Sequence, residues 1–252
     1  MMERSVLLNY LDQYLNLNEI DDYGPQGLQV EADNDEIERV ALAVDAAPPV
    51  IGAASEWRAD LLLVHHGILW RSVERIAGPL GQRVRLLLAK RINLYAAHLA
   101  LDAHQEIGNN AVLAKMFGLR LEQWWFAPTG TDIGVYGQLT EPRPVTRLAD
   151  EVADQLGTTV RTVDHGPEVV ERLAIISGAA AEQAGAARAL GADTFLTGET
   201  SHAHFWDARD YGLNVIYAGH YATETVGVKA LGRHLGQRFG LETKFFDFPT
   251  GM

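Results

Sequence analysis

The sequence predicts an α/β protein made of two related lobes, with mostly parallel, buried strands and a metal site in the cleft between the lobes. Three observations support this prediction: an apolar strand that ends on two histidines, a repeated β-α-β pattern, and His or carboxylate residues at equivalent strand ends in both halves. With 252 residues the chain is long enough for two lobes that each bury a core. We place the first lobe at residues 1–125 and the second at residues 126–252, and a C-terminal helix and strand can pack back on the first.

The composition excludes several classes of protein. A net charge of −12 argues against a general nucleic-acid-binding surface, which needs clustered Lys and Arg. The chain has no Cys, so a metal site must use His, Asp, Glu and water. No apolar stretch approaches the roughly 18–20 residues of a membrane span, and the first residues lack a signal-peptide pattern. We therefore expect a cytoplasmic protein that is not bound to a membrane.

The first element is a strand that ends on His65 and His66. Residues 61–64 are four consecutive apolar residues, which is typical of a strand buried on both faces of a parallel sheet. In open α/β sheets, ligands bind beyond the carboxyl ends of such strands. The two histidines are therefore candidate ligands, and a hydrogen-bonded structural role is the alternative.

A repeated pattern surrounds this strand. Residues 38–44 are similar to residues 171–177, and each copy is followed by an Ala-rich helical stretch and a strand opened by Ala-Asp. The separation between Glu-Arg and Ala-Asp is 21 residues in both copies. Each copy therefore predicts a right-handed β-α-β unit with parallel strands. Residues 124–141 are richer in Gly, Pro and aromatic residues, and we interpret them as the connection between halves, with a strand near residues 132–139.

A further strand follows in each half, over residues 93–97 and 214–219, and each leads to a histidine. His98 is followed four residues later by Asp102, and His220 four residues later by Glu224. Residues four apart lie on one face of a helical turn. Apolar residues at helical spacing then predict two helices, over residues 110–117 and 223–235.

These strand ends together predict a ring of metal ligands. Under the 133-residue offset of the first repeat unit, His66 matches Glu199. Three or four protein ligands suit one ion, whereas five or six with bridging carboxylates suit two ions about 3.5–4 Å apart. The alternative roles are structural: Asp102 as a helix cap and Glu224 as a solvated residue of a first helical turn.

Six segments carry a resemblance to a known family. They occur in order along nearly the whole chain, at residues 23–30, 64–67, 93–102, 193–199, 219–224 and 246–249. The chain resembles the dinuclear-metal-centre family known as type-2 GTP cyclohydrolase I, or Nif-three-like proteins. The family's large central insertion, found in some members, is absent.

The resemblance implies a site that holds two divalent ions, of Zn, Fe, Mn, Ni or Mg. The implied ligands are His65, His66, Asp102, His220 and Glu224. Asp102 and Glu224 are the implied bridges, because each has two oxygens. Glu199 and His98 are the candidate catalytic proton carriers, and His98 is expected beside the ligands, where it orients one of them or holds a water. The resemblance also implies a homo-oligomer, a toroidal hexamer whose sites face an interior cavity.

Hydrolysis is the reaction class that two adjacent divalent ions favour, because they activate water and polarise the group under attack. The resemblance implies a small-molecule substrate, a nucleotide such as GTP, whose guanine imidazole ring is opened. Two alternatives stay open: a metal-dependent phosphoesterase or nucleotide hydrolase, and a non-enzymatic metal-binding assembly that acts through partners.

Overall fold

A computed structural model describes residues 1–73 and 75–251 and contains two compact units. Unit 1 consists of Met1–Leu101 and Gly227–Phe248, and unit 2 is formed mainly by Asp102–Val226. These units are defined by contacts, whereas the predicted division after residue 125 follows the sequence repeat. The division into lobes of residues 1–125 and 126–252 stays a prediction.

Short strands and helices alternate along the described residues. The strands are β1 (Met2–Glu3), β2 (Gly27–Val30), β3 (Glu36–Ile37), β4 (Arg39–Asp45), β5 (Leu61–His66), β6 (Asn93–Ala96), β7 (Leu119–Trp125), β8 (Gly134–Pro144), β9 (Arg161–Asp164), β10 (Val169–Ala179), β11 (Thr194–Glu199), β12 (Asn214–Tyr217) and β13 (Glu242–Phe245). The helices are α1 (Arg4–Tyr14), α2 (Pro48–Glu56), α3 (Gly78–Ala89), α4 (Leu99–Asp102), α5 (Asn109–Met116), α6 (Val145–Leu156), α7 (Ala184–Ala189), α8 (Asp207–Tyr211) and α9 (His220–Phe239). Two 3-10 turns lie at Ala181–Gln183 and His202–His204.

Unit 1 is built on a five-stranded sheet in the order β13-β4-β5-β6-β2. The pairs β13–β4, β4–β5 and β5–β6 are parallel, and β2 closes one edge antiparallel to β6. β5 is central and its residues Leu61–Val64 are fully buried, as their continuous apolar run predicts. The parallel strands therefore deliver their carboxyl ends to one edge of the sheet.

Unit 2 is built on a six-stranded sheet in the order β7-β8-β10-β11-β12-β9. The adjacent strands β10, β11 and β12 are parallel, whereas β7, β8 and β9 pair antiparallel with their neighbours. Both sheets are therefore mixed: the unit 1 sheet has one antiparallel edge strand, β2, whereas antiparallel strands flank the parallel centre of the unit 2 sheet on both sides. The predicted α/β class is confirmed, and parallel pairing is confined to part of each sheet.

The same aspartate contact occurs at the start of both parallel pairs and gives a physical reason for the constant 21-residue offset. In unit 1, Asp60 Oδ2 accepts the backbone N–H groups of residues 38 and 39, each at 2.9 Å. In unit 2, Asp193 Oδ2 accepts the N–H groups of residues 171 and 172, each at 2.8 Å. Each carboxylate thus satisfies donors at the start of the neighbouring strand, which would otherwise lie outside the ladder.

The two predicted helices are present with slightly different ends. The prediction over residues 110–117 corresponds to α5, and the prediction over residues 223–235 lies inside the longer α9. α9 begins with residues of unit 2 and continues from Gly227 with residues of unit 1. Within the part of the chain that the structure describes, none of the helices combines the length and apolar character needed to cross a membrane.

Candidate metal centre

Three histidines of unit 1 meet at the carboxyl edge of its sheet. His65 and His66 end β5, and His98 follows the neighbouring strand β6. One ligand-capable atom of each residue lies within 4.8 Å of the others, and the ring centroids are 4.9–5.5 Å apart. His65 is fully buried, whereas the other two are partly exposed. We call these three residues the histidine cluster.

Each imidazole of the histidine cluster donates its Nδ1 proton to an oxygen of unit 1. The pairs are His65 with the Ala97 carbonyl at 2.9 Å, His66 with Asp45 at 2.9 Å, and His98 with Asp22 at 2.8 Å. A neutral imidazole that carries its proton on Nδ1 presents a lone pair on Nε2. Histidines that bind metals usually make this kind of contact to a carboxylate or carbonyl. The donor set therefore fits a divalent transition metal.

Sheet register accounts for one of these contacts. β4 and β5 pair in parallel with Asp45 opposite His66, so the carboxylate and the imidazole lie side by side at the ends of adjacent strands. Asp45 was not among the predicted site residues. The sequence carried a usable signal for it, because it stands at the end of a buried strand as His66 does.

In unit 2, His220 lies between two carboxylates. Glu199 ends β11, and Glu224 is one turn along α9 from His220. His220 Nδ1 is 3.3 Å from Glu199 Oε1, and His220 Nε2 is 3.1 Å from Glu224 Oε1. The Glu224 side chain is only 5% exposed, whereas that of Glu199 is 39% exposed. One carboxylate is therefore buried and the other reaches solvent.

The two carboxylates control the charge of His220. Burial alone lowers the pKa of this imidazole, but the hydrogen bonds and negative charges of Glu224 and Glu199 outweigh burial and raise its pKa to about 9. Without a bound metal, His220 is therefore protonated at neutral pH. A divalent cation at the same carboxylates would take over the role of that positive charge.

A glycine makes room for the buried carboxylate. Gly178 is the last residue of the buried part of β10 and has a φ of +70°, and a Cβ at this position would collide with the Glu224 carboxylate. The Gly178 N–H donates to the Thr223 hydroxyl at 3.0 Å, which holds this turn against the start of α9. Another residue at this position would be strained and would displace Glu224.

Asp102 is a buried carboxylate of unit 2, with 4% of the residue exposed. It accepts the Asn109 amide at 2.8 Å and the Ser177 hydroxyl at 3.4 Å. Asp102 ends the short helix α4 and does not start a helix, so the alternative of an N-cap is wrong. Both donors are neutral, and both contacts are made to the same oxygen, Oδ1.

The predicted site residues thus fall into two groups, each described within its own unit. Unit 1 brings together His65, His66 and His98. Unit 2 brings together Glu199, His220 and Glu224. Asp102 also belongs to unit 2, where it accepts hydrogen bonds from Asn109 and Ser177. Sequence reasoning missed Asp22 and Asp45, which hold two of the histidines.

A mixed α/β fold with imidazoles gathered at the carboxyl edge of a sheet defines the class as a candidate metal-binding α/β protein. The model of the family described as Duf34/NIF3 (NGG1p interacting factor 3) matches residues 2–250, and the chain belongs to this family. A curated relative from Pyrococcus abyssi, named GTP cyclohydrolase 1 type 2 homolog, is 42% identical over 255 residues and is covered completely, as is this chain.

Solved structures support the same assignment. The chain is similar to TTHA1606 from Thermus thermophilus, with 40% identity, a TM-score of 0.89 and complete coverage of both chains. It is also similar to a structural-genomics protein called ybgI, of unknown function, with 36% identity, a TM-score of 0.93 and complete coverage of both chains. The mixed α/β fold and the family are therefore established together.

Proposed function

We propose that this protein binds divalent metal ions and uses them as a metal-dependent hydrolase. The observation that carries the proposal is the histidine cluster, in which three imidazoles have their Nδ1 atoms held by oxygens and their ligand-capable atoms within 4.8 Å. Holding imidazoles in this way lowers the cost of ordering them around an ion. The arrangement is more specific than a chance group of surface histidines.

The imidazole and carboxylate donors suit different divalent ions. Imidazole suits Zn, Fe and Ni, whereas carboxylates also suit Mn and Mg, and the chain offers no thiolate. We propose that His65, His66, Asp102, His220 and Glu224 hold the two ions, as the family resemblance implies, with Asp102 and Glu224 as bridging carboxylates. This ligand set requires residues of both units.

A divalent ion bound there would supply Lewis acidity and lower the pKa of a coordinated water. The chain's own residues then move protons. Glu199 is suited to exchange protons with solvent because its side chain is 39% exposed and touches His220. His98 is the second candidate, because its ring lies 5.0 Å from that of His65 and 5.5 Å from that of His66.

For the substrate we propose a nucleotide whose purine imidazole ring is opened by hydrolysis. The support is the name GTP cyclohydrolase 1 type 2 homolog carried by relatives such as the Pyrococcus abyssi protein. Trp70 adds a local argument, because its ring lies 5.2 Å from His98 and 6.3 Å from His66, so a flat aromatic ligand could stack beside the histidine cluster.

Two steps test the proposal. Elemental analysis of purified protein should find about two divalent ions per chain, or titration of the metal-free protein should restore them. No metal and no uptake would overturn metal binding. The loaded protein is then assayed with GTP, other nucleotides and phosphodiesters, with the Asp102→Ala variant as control. Ring-opened product that disappears in this variant supports the cyclohydrolase reaction.

The other outcomes of the assay identify the alternatives. Turnover of phosphodiesters or nucleotides without ring opening would mark a phosphoesterase or nucleotide hydrolase. Full metal occupancy without turnover of any substrate would mark a non-enzymatic metal-binding assembly. Both results would overturn ring opening while leaving metal binding intact.

We also propose, from the family resemblance, that the protein forms a toroidal homohexamer and that its two halves arose by duplication. The equivalent Asp60 and Asp193 contacts support the duplication. Light scattering on the purified protein should give a mass near six times 27.7 kDa. A mass equal to one chain at micromolar concentration would overturn the hexamer.

A further inference from the structure

Apart from the hydrogen bond between Asp22 and His98, residues 22–29 have no assigned role in the proposed function. Most of the segment belongs to one of the motifs that carry the family resemblance, and it leads into the edge strand β2. Three of its polar side chains contact the chain just after the two strands that carry the histidine cluster. These side chains are Asp22, Gln26 and Gln29.

Asp22 holds His98 and the backbone that follows it. Its side chain is only 3% exposed. Oδ1 accepts the His98 Nδ1 proton at 2.8 Å, and Oδ2 accepts the Leu99 N–H at 2.9 Å. Because one carboxylate binds both groups, the imidazole cannot rotate or change tautomer without losing a charge-assisted hydrogen bond.

Gln26 extends the same contact by one residue. Its Oε1 accepts the Ala100 N–H at 3.0 Å, and its Nε2 donates to the Ile20 carbonyl at 3.1 Å. Leu99 and Ala100 open the short helix α4, whose first N–H groups have no partner within the helix. Asp22 and Gln26 therefore act as side-chain caps for the turn that follows His98.

Gln29 holds the chain that follows His66. Its Oε1 accepts the N–H groups of Ile68 and Leu69 at 2.7 and 3.1 Å, and its Nε2 donates to the Pro25 carbonyl at 2.6 Å. A Cβ on Gly67 would collide with the Gln29 amide, so glycine at this position allows the approach. The turn after β5 is thus fixed by a side chain from residues 22–29.

We propose that residues 22–29 position the histidine cluster for metal binding, and that Asp22 is the positioning residue that keeps the Nε2 atom of His98 directed toward His65 and His66. This inference rests on the proposed metal binding. It assigns Asp22 no contact with substrate or ion. His98 is not one of the proposed ligands, but its ring lies 5.0 Å from His65 and 5.5 Å from His66, so Asp22 acts on these two ligands through His98. Removing outer partners of metal ligands typically lowers metal affinity 10–100-fold.

The test compares three variants with a matched control. Asp22→Ala removes both contacts, Asp22→Asn keeps the size but removes the charge, and Gln29→Ala releases the turn after His66. Asp21→Asn is the control, since it makes the same chemical change one residue away in a carboxylate that pairs with Arg71 at the surface. The tautomer of His98 is measured by ¹⁵N NMR on metal-free protein, and Zn²⁺ affinity by calorimetric titration.

The expected result has two parts. In wild type and Asp21→Asn, His98 carries its proton on Nδ1. In Asp22→Ala it becomes a mixture of tautomers, and Zn²⁺ affinity falls about 10–100-fold in this variant and less in Gln29→Ala. If Asp22→Ala does not fold, Asp22→Asn decides, with an expected loss of about tenfold in affinity.

Two results would overturn the inference: an unchanged His98 tautomer in the folded Asp22 variants, or Zn²⁺ affinities within about twofold of wild type. Failure of the proposed function looks different. In that case wild type and Asp21→Asn would also bind no Zn²⁺, and the NMR measurement on metal-free protein would still report whether Asp22 fixes the tautomer.

Discussion

The two units place histidines at equivalent strand ends but surround them differently. In unit 1, each of the three imidazoles has one oxygen partner at Nδ1. In unit 2, one imidazole, His220, lies between the carboxylates of Glu199 and Glu224. The first arrangement presents lone pairs, whereas the second favours a positive charge.

This difference has a thermodynamic consequence. The imidazoles of unit 1 are held by their oxygen partners before any ion binds. His220, in contrast, must lose a proton before its nitrogen can bind an ion. Metal binding that uses His220 should therefore strengthen as pH rises toward 9, by about tenfold per pH unit for the one proton displaced. Binding that uses only the histidine cluster should lack this contribution.

The largest expected effect comes from removing a member of the histidine cluster. His66→Ala deletes one of three gathered imidazoles, so Zn²⁺ affinity should fall at least about 100-fold, more than the loss of an outer partner. Calorimetric titration of metal-free protein measures this change. His165→Ala is the control, since this exposed histidine lies outside both groups. An affinity for His66→Ala within about threefold of wild type would contradict the comparison.

The second effect is a pH dependence of stability in the metal-free protein. The pKa of His220 is about 9 in the folded protein and about 6.5 in an unperturbed imidazole, so its stabilisation is complete below about pH 6.5 and is lost as pH rises through 9. Urea unfolding should show a loss of about 3 kcal/mol over this range. His220→Gln should remove this part of the pH dependence. An identical pH profile in His220→Gln would show that the two carboxylates do not stabilise the charge.

A third prediction separates the two carboxylates of unit 2. Glu224 raises the pKa of His220 more than Glu199 does, since it is buried and makes the shorter contact. Glu224→Gln should therefore lower the pKa of His220 further toward its ordinary value than Glu199→Gln. NMR titration of the His220 ring measures both. The reverse order would mean that the exposed carboxylate controls this histidine.

The smallest effect compares the equivalent aspartates of the two units. Asp60 accepts the Asn34 amide at 2.9 Å in addition to two backbone N–H groups. Among the described residues, Asp193 Oδ1 has no hydrogen-bond partner. Asp60→Asn should therefore destabilise the protein by about 1 kcal/mol more than Asp193→Asn, as measured by urea unfolding. Equal losses would indicate that the Asn34 contact contributes nothing.

The central strands of both sheets could be predicted from the sequence, but the edges could not. β5 and the middle of β10, residues 173–176, contain continuous apolar runs, and buried parallel strands have this pattern. The edge strands β2, β7 and β9 have no such run, and β7 and β9 contain exposed polar residues. β2 and β9 pair with strands far along the chain, which local patterns could not reveal, whereas β7 pairs with the next strand, β8.

Within the candidate site, residues at strand ends were easier to predict than residues that support them. His65 and His66 follow an apolar run, and Glu199 matches His66 under the 133-residue repeat offset, so all three are marked in the sequence. Asp22 and Gln29 act through hydrogen bonds to residues roughly 40 to 80 positions away, and no local pattern reveals such partners. The resemblance marked most of their segment without explaining its function.

The most direct test of the account is an anomalous-difference map from crystals of the Zn²⁺-loaded protein. We expect zinc at the histidine cluster, about 2.0–2.1 Å from the Nε2 atoms of imidazoles. Nδ1 of His66 should still donate its proton to Asp45. Zinc bound at full occupancy elsewhere, or coordinated through Nδ1 atoms, would contradict the account.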